Sequence, residues 1–108
     1  MNQTIGRTEL MAKIDRGDKF QLVEALPEET FRRQHLPRAI NLPPKQAKEL
    51  APQLLSDKQA DIVVYGASST CTASDDVACE LVAQGYGRVR RYVDGKQDWI
   101  DAGLPTEK

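Results

Sequence analysis

Residues 61–73 read Asp61-Ile62-Val63-Val64-Tyr65-Gly66-Ala67-Ser68-Ser69-Thr70-Cys71-Thr72-Ala73. Ile62 to Tyr65 are β-branched or aromatic with no alternation of polar residues. That is the pattern of a strand covered on both faces, as in a parallel sheet between helical layers. Small residues from Gly66 to Cys71 then form a loop, and a helix follows over about residues 73–84. Thr72 and Asp75 have the spacing of a capping box at its start, and Gly85 stands where a left-handed residue closes a helix.

The same alternation continues on both sides. Upstream, Phe20-Gln21-Leu22-Val23-Glu24-Ala25 predicts a strand. It is preceded by a helix over residues 8–14 that carries Leu10, Met11 and Ile14 and ends at Gly17. After the break at Pro27, residues 28–33 read as a short helix with an acidic first turn. Ala39-Ile40-Asn41-Leu42 is extended between Pro37 and Pro43-Pro44. Residues 45–55 predict an amphipathic helix with Leu50, Leu54 and Leu55 as its apolar stripe, bent or restarted at Pro52. Downstream, residues 88–93 form the last strand, and Asp98-Trp99-Ile100 lie in a closing helix. Strands that alternate with helices imply an α/β fold, an open and mostly parallel sheet of about four or five strands with helices on both faces.

The chain of 108 residues is one domain, 1–108, with no internal repeat and no linker. Fifteen Lys and Arg against sixteen Asp and Glu leave a net charge of −1, unlike the basic surface of a domain that binds nucleic acid through phosphates. No apolar run approaches the roughly 20 residues that cross a bilayer. Met1-Asn2-Gln3-Thr4-Ile5-Gly6-Arg7 lacks the pattern of a secretory signal. Two cysteines, Cys71 and Cys79, are too few for a disulfide framework and fit a reducing, cytoplasmic setting. About 12 Å of intervening helix would hold them apart. One His and no Cys-x-x-Cys leave no metal site, and no cofactor is implied.

Open parallel sheets gather ligands at the carboxyl ends of their strands. The loop after residue 65 lies there, and Ala67, Ser68, Ser69, Thr70, Cys71 and Thr72 can turn their N–H groups into an anion nest at a helix N-terminus. The same residues also suit a tight connection that binds nothing.

The segment 20–25, then Phe31, then His35-Leu36-Pro37-Arg38-Ala39-Ile40-Asn41-Leu42-Pro43, resembles the opening half of a rhodanese-like domain. Ile62-Val63-Val64-Tyr65, Gly85-Tyr86, Trp99 and Ala102-Gly103-Leu104-Pro105 resemble the second half, so that the likeness spans residues 5–107. It implies a sulfurtransferase fold in which a cysteine at the loop's first position carries a persulfide, its thiolate stabilised by surrounding N–H groups. The partner so implied is a small sulfur-containing anion or a thiol or persulfide protein. The position of that nucleophile is Gly66, which has no side chain. Arg38 also stands where the family commonly has Gly, and Leu26 where an Arg often follows the second strand.

Gly66 therefore points to a binding or regulatory module that has kept the cradle without the chemistry. Sulfur carriage relocated to Cys71 is the alternative, because a thiol beside a helix N-terminus is activated; against it, Cys71 is a small apolar loop residue. A related phosphatase-type activity would need a Cys nucleophile and a loop Arg, and neither is present. The small polar loop leaves room at residue 66 for a larger side chain. Cys79 belongs to the helix. His35 ties down the Pro37 turn in preference to acid-base catalysis, Glu24 anchors the turn at the end of its strand, and Phe20, Phe31 and Trp99 serve as core or interface aromatics. Arg32, Arg33, Arg38, Lys45 and Lys48 are either a border to an anion site or a solvated basic face.

Overall fold

The β-branched run is the middle strand of the molecule. In the computed structural model, which describes residues 3–108, the elements are β1 (Gln3–Thr4), α1 (Arg7–Arg16), β2 (Gln21–Glu24), α2 (Glu28–Arg33), β3 (Ala39–Asn41), a 3-10 turn (Pro44–Gln46), α3 (Ala47–Leu54), β4 (Ile62–Tyr65), α4 (Ala73–Ala83), β5 (Val89–Tyr92) and α5 (Gly95–Asp101). Five strands form one sheet in the order β1-β5-β4-β2-β3, every neighbouring pair parallel. The fold is thus the expected α/β sheet. β1 has no counterpart in the sequence reading, because two residues are too few to show a period.

Side chains of β4 alternate between two cores. Ile62 and Val64 join Val23, Val89 and residues of α3 and α4, whereas Val63 and Tyr65 join Leu22, Tyr92, Leu10 of α1 and Trp99 of α5. Each fully buried apolar side chain of this kind contributes about 1.5–3 kcal/mol.

The apolar stripe of α3 departs from expectation. Ala47, Ala51 and Leu55, at a spacing of four, are buried, while Leu54 is 43% exposed. The helix stays continuous through Pro52. Proline has no N–H for the carbonyl four residues back; Gln84 Nε2 donates to that Lys48 oxygen instead, at 3.0 Å. The capping box of α4 is not formed. Thr72 already has helical φ and ψ of −90° and −8° and makes no side-chain cap, a bond that ordinarily needs an extended backbone at the cap residue. The far end of α4 closes as expected, with Gly85 at φ +99° and the Tyr86 N–H on the Leu81 carbonyl. Among the described residues no helix is long and apolar enough to cross a membrane.

Candidate functional site

Residues 66–72 connect the carboxyl end of β4 to α4, where a parallel sheet exposes its strand ends. Gly66 is buried. A Cβ placed on it would lie 3.0 Å from Cys71 Sγ, 3.5 Å from Cys71 Cβ and 3.6 Å from the Ser74 nitrogen. The room expected at residue 66 is therefore taken by the half-buried thiol of Cys71, which folds back because the Cys71 N–H donates to the Ser68 carbonyl at 3.1 Å. Ser68 Oγ and Thr70 Oγ1 share a hydrogen bond of 3.1 Å, which uses the proton of one of the two hydroxyls within the loop. Among the described residues, no N–H from Ala67 to Thr70 donates to another group of the protein.

The orientation of the loop comes from α5. The N–H groups of Lys96 and Gln97 donate to the carbonyls of Gly66 and Ala67 at 2.9 and 2.8 Å. In a trans peptide the C=O and the following N–H point oppositely. The N–H groups of Ala67 and Ser68 thus face away from α5, towards the side of the sheet that carries α4. Gly95 makes this approach possible, because its φ is +77° and a Cβ there would sit 2.8 Å from the Ser68 nitrogen.

Beneath the loop lies a charged network that sequence reading missed. Glu24, fully buried at the end of β2, pairs with Lys96 Nζ at 3.0 Å through Oε2 and accepts the Tyr65 hydroxyl at 2.7 Å through Oε1. Lys96 Nζ also donates to the carbonyls of Gln34 and Thr30, at 2.6 and 3.3 Å, at the end of α2. Tyr65 Oη in turn accepts the Leu36 N–H at 3.1 Å. Burial first, then the adjacent Glu24 carboxylate, pushes the Tyr65 phenol far above its ordinary range. The Glu24 carboxylate reaches β4 and α5, whereas the sequence suggests that it anchors the turn after its own strand. Its partner lies 72 residues away, and a lone lysine beside a glycine carries no signal of burial.

The other candidates are scattered. His35 Nδ1 lies 2.8 Å from the Phe31 carbonyl, and its ring stacks on Phe31. Its backbone bridges Glu107, so its contacts run to α2 and to residue 107. Arg38 lies before β3, at the opposite end of the sheet. There its guanidinium covers the Phe20 ring at 4.8 Å and donates to the Asp18 carbonyl at 2.8 Å. Arg32 pairs with Glu28 in the same helix. Arg33 lines a hollow with Thr30, Ala67 and Gln97, and Lys45 lines a separate groove of about 590 Å³ between Ala25, Pro43 and Ala73. The five basic residues therefore do not converge on one site. Trp99 and Phe20 are core, Phe31 is half-buried, Leu26 is buried, and Cys79 is exposed on α4. Arg91, on the last strand, brings its guanidinium within 3.5 Å of Asp75 and Ser74 in the first turn of α4. Among the described residues no cluster of His, Cys, Asp and Glu could hold a metal ion.

This arrangement has relatives. The chain is 33% identical over 105 residues to the HTH-type transcriptional regulator Rv0324 of Mycobacterium tuberculosis, and it covers 96% of its own length but 44% of that protein's. The BH2092 protein from Bacillus halodurans has the same fold at a TM-score of 0.90 with 21% identity, over 98% of this chain and 77% of that one. A rhodanese from E. coli, solved with anions, matches at a TM-score of 0.67 with 25% identity, over 82% of this chain and 96% of that one. The family model described as Rhodanese-like domain matches residues 7–102, from the first helix through the end of α5, and on that match the chain belongs to the rhodanese-like domain family.

Proposed function

We propose that this rhodanese-like domain binds a small sulfur-containing anion, or the persulfide of a protein partner, at loop 66–72 and does not run thiosulfate-to-cyanide sulfur transfer in the family's usual way. The observation that carries this reading is Gly66. Sulfur transfer needs a nucleophile inside the cradle to hold the sulfur between half-reactions, and the first residue of this loop has no side chain. The outward N–H groups of Ala67 and Ser68 and the start of α4 offer donors that do not depend on that side chain. The anions in the E. coli rhodanese and the regulator in which a similar domain forms under half of the protein support a binding or regulatory role.

One observation favours a second reading, sulfur carriage by Cys71, whose Sγ lies 3.0 Å from the Cβ position of residue 66. In that case the Cys71 thiolate attacks the outer sulfur of thiosulfate, the S–S bond breaks and sulfite leaves with the electron pair. Cyanide then takes the sulfur as thiocyanate and restores the thiolate. Thiocyanate formation by this chain and by Cys71→Ser separates the two. Background turnover in both, together with amide shifts at residues 66–73 on adding sulfate at tens of millimolar (a weak regime of roughly a few kcal/mol), supports the binding module. Turnover that Cys71→Ser abolishes overturns it in favour of Cys71. No sulfate response overturns the anion site.

A further inference from the structure

We infer that Lys96 is a positioning residue for the loop: its buried ammonium fixes the start of α5, and the start of α5 sets which way the loop's N–H groups point. The inference deepens the anion-binding reading above and rests on it for its functional consequence.

Lys96 works in two directions. Its backbone N–H, with that of Gln97, holds the Gly66 and Ala67 carbonyls. Its side chain leaves the loop and crosses to β2 and α2, where Nζ meets Glu24 Oε2, the Gln34 carbonyl and the Thr30 carbonyl. An ammonium has three donors, and each has an acceptor here. Glu24 is satisfied on both oxygens, by Lys96 and by the Tyr65 hydroxyl. A buried charge with fixed partners on three sides has little freedom to shift, because any movement strands a charge out of water.

No other residue opening α5 can do this. Gly95 has no side chain, Gln97 is exposed, and Asp98 turns to Tyr92 and Arg7 near the other edge of the sheet. Trp99 anchors the helix one turn further on, in the core beside Tyr92. Among the described residues, the Lys96 side chain is the one in the first turn that reaches β2 and α2, and the close seat of Gly95 against Ser68 leaves the loop backbone no slack. The ammonium itself joins α5 to β2 and to the end of α2, and Glu24 extends the connection to β4 through the Tyr65 hydroxyl.

The test uses the full chain as Glu24→Leu/Lys96→Met, which removes both charges and so avoids leaving one buried alone; Lys96→Met is made in parallel. Two quantities are read by NMR: hydrogen exchange at the amides of residues 96 and 97 relative to those of residues 63 and 64 in β4, and sulfate affinity from shifts at residues 66–73. The double variant is expected to keep the exchange rates of β4. Its exchange at residues 96 and 97 should rise at least about tenfold, with sulfate affinity falling at least about tenfold. General loss of stability would instead speed all four amides together. A double variant that is folded and keeps parental protection at residues 96 and 97 overturns the inference. So does one in which all four amides speed up equally. If the parent shows no sulfate response, the anion-binding reading fails by itself, and the exchange ratio still decides whether Lys96 positions the loop.

Discussion

Gly66→Cys is expected to form a disulfide with Cys71 under mild oxidation. The Cβ–Cβ separation would be 3.5 Å, at the short edge of the roughly 3.5–4.5 Å that disulfides span. In the reduced state the substitution crowds the loop, because the new Cβ lies 3.0 Å from Cys71 Sγ. Overpacking of that kind costs about 1–3 kcal/mol. The backbone at residue 66 is not left-handed, so replacing glycine recovers about 0.4–1 kcal/mol from the unfolded chain. The reduced variant should therefore be less stable than its parent by about 0–2.6 kcal/mol. Closing a loop of six residues would return about 2 kcal/mol on oxidation, by the chain-entropy relation. Adding Cys71→Ser to Gly66→Cys removes the second thiol and eases the crowding. That double variant should form thiocyanate from thiosulfate and cyanide at least about 100-fold faster than the parent, the scale set by aligning reacting groups to about 1 Å. Urea unfolding with and without reductant, thiol titration after exposure to oxidised glutathione, and the thiocyanate assay check these outcomes. Both thiols remaining titratable in the folded, oxidant-treated variant would refute the geometry. A natively folded Gly66→Cys/Cys71→Ser protein without activity would refute the assignment of Gly66 as the position that lacks its nucleophile.

Gly95→Ala should cost roughly 2–4 kcal/mol, from a left-handed φ of +77° and a Cβ 2.8 Å from the Ser68 nitrogen; a thermal melt within a degree of the parent would contradict this. Stability should fall as the pH rises above about 10. The Tyr65 phenol is held protonated in the folded state by burial and Glu24, whereas the unfolded chain gives up that proton. The fall is up to about 1.4 kcal/mol per pH unit for each tyrosine so held, and urea unfolding of Tyr65→Phe across that range should show a flatter slope. At neutral pH, Tyr65→Phe leaves Glu24 Oε1 and the Leu36 N–H without their partner and should cost about 1–3 kcal/mol. Arg38→Gly relieves a φ of +72° but gives up the Phe20 and Asp18 contacts. The two effects should offset to within about 1 kcal/mol, and the sulfate response at residues 66–73 should be unchanged, since residue 38 lies at the other end of the sheet.

What could be read from the residues was whatever depends on short-range pattern. Ile62 to Tyr65 announced a two-sided strand because burial on both faces leaves no alternation. Gly17 and Gly85 marked helix ends because positive φ favours glycine. The order of strands, prolines and small residues carried the family likeness, and the loop after β4 stood out as the candidate site, since strand ends in a parallel sheet are where ligands gather. The position of Arg38, where glycine is common, also made sense once its φ proved positive. Where folding brings distant residues together, the sequence was silent. Leu54 and Ala51 exchange exposure and burial because the α3 face is chosen by α4 and the sheet, not by the helix's own apolar content. The thiol of Cys71 returns to Gly66 through a turn that Ser68 closes. Lys96 joins Glu24 across 72 residues, in a pairing that charge alone cannot reveal, because any of the sixteen acidic residues could have been its partner until packing excluded water from one of them.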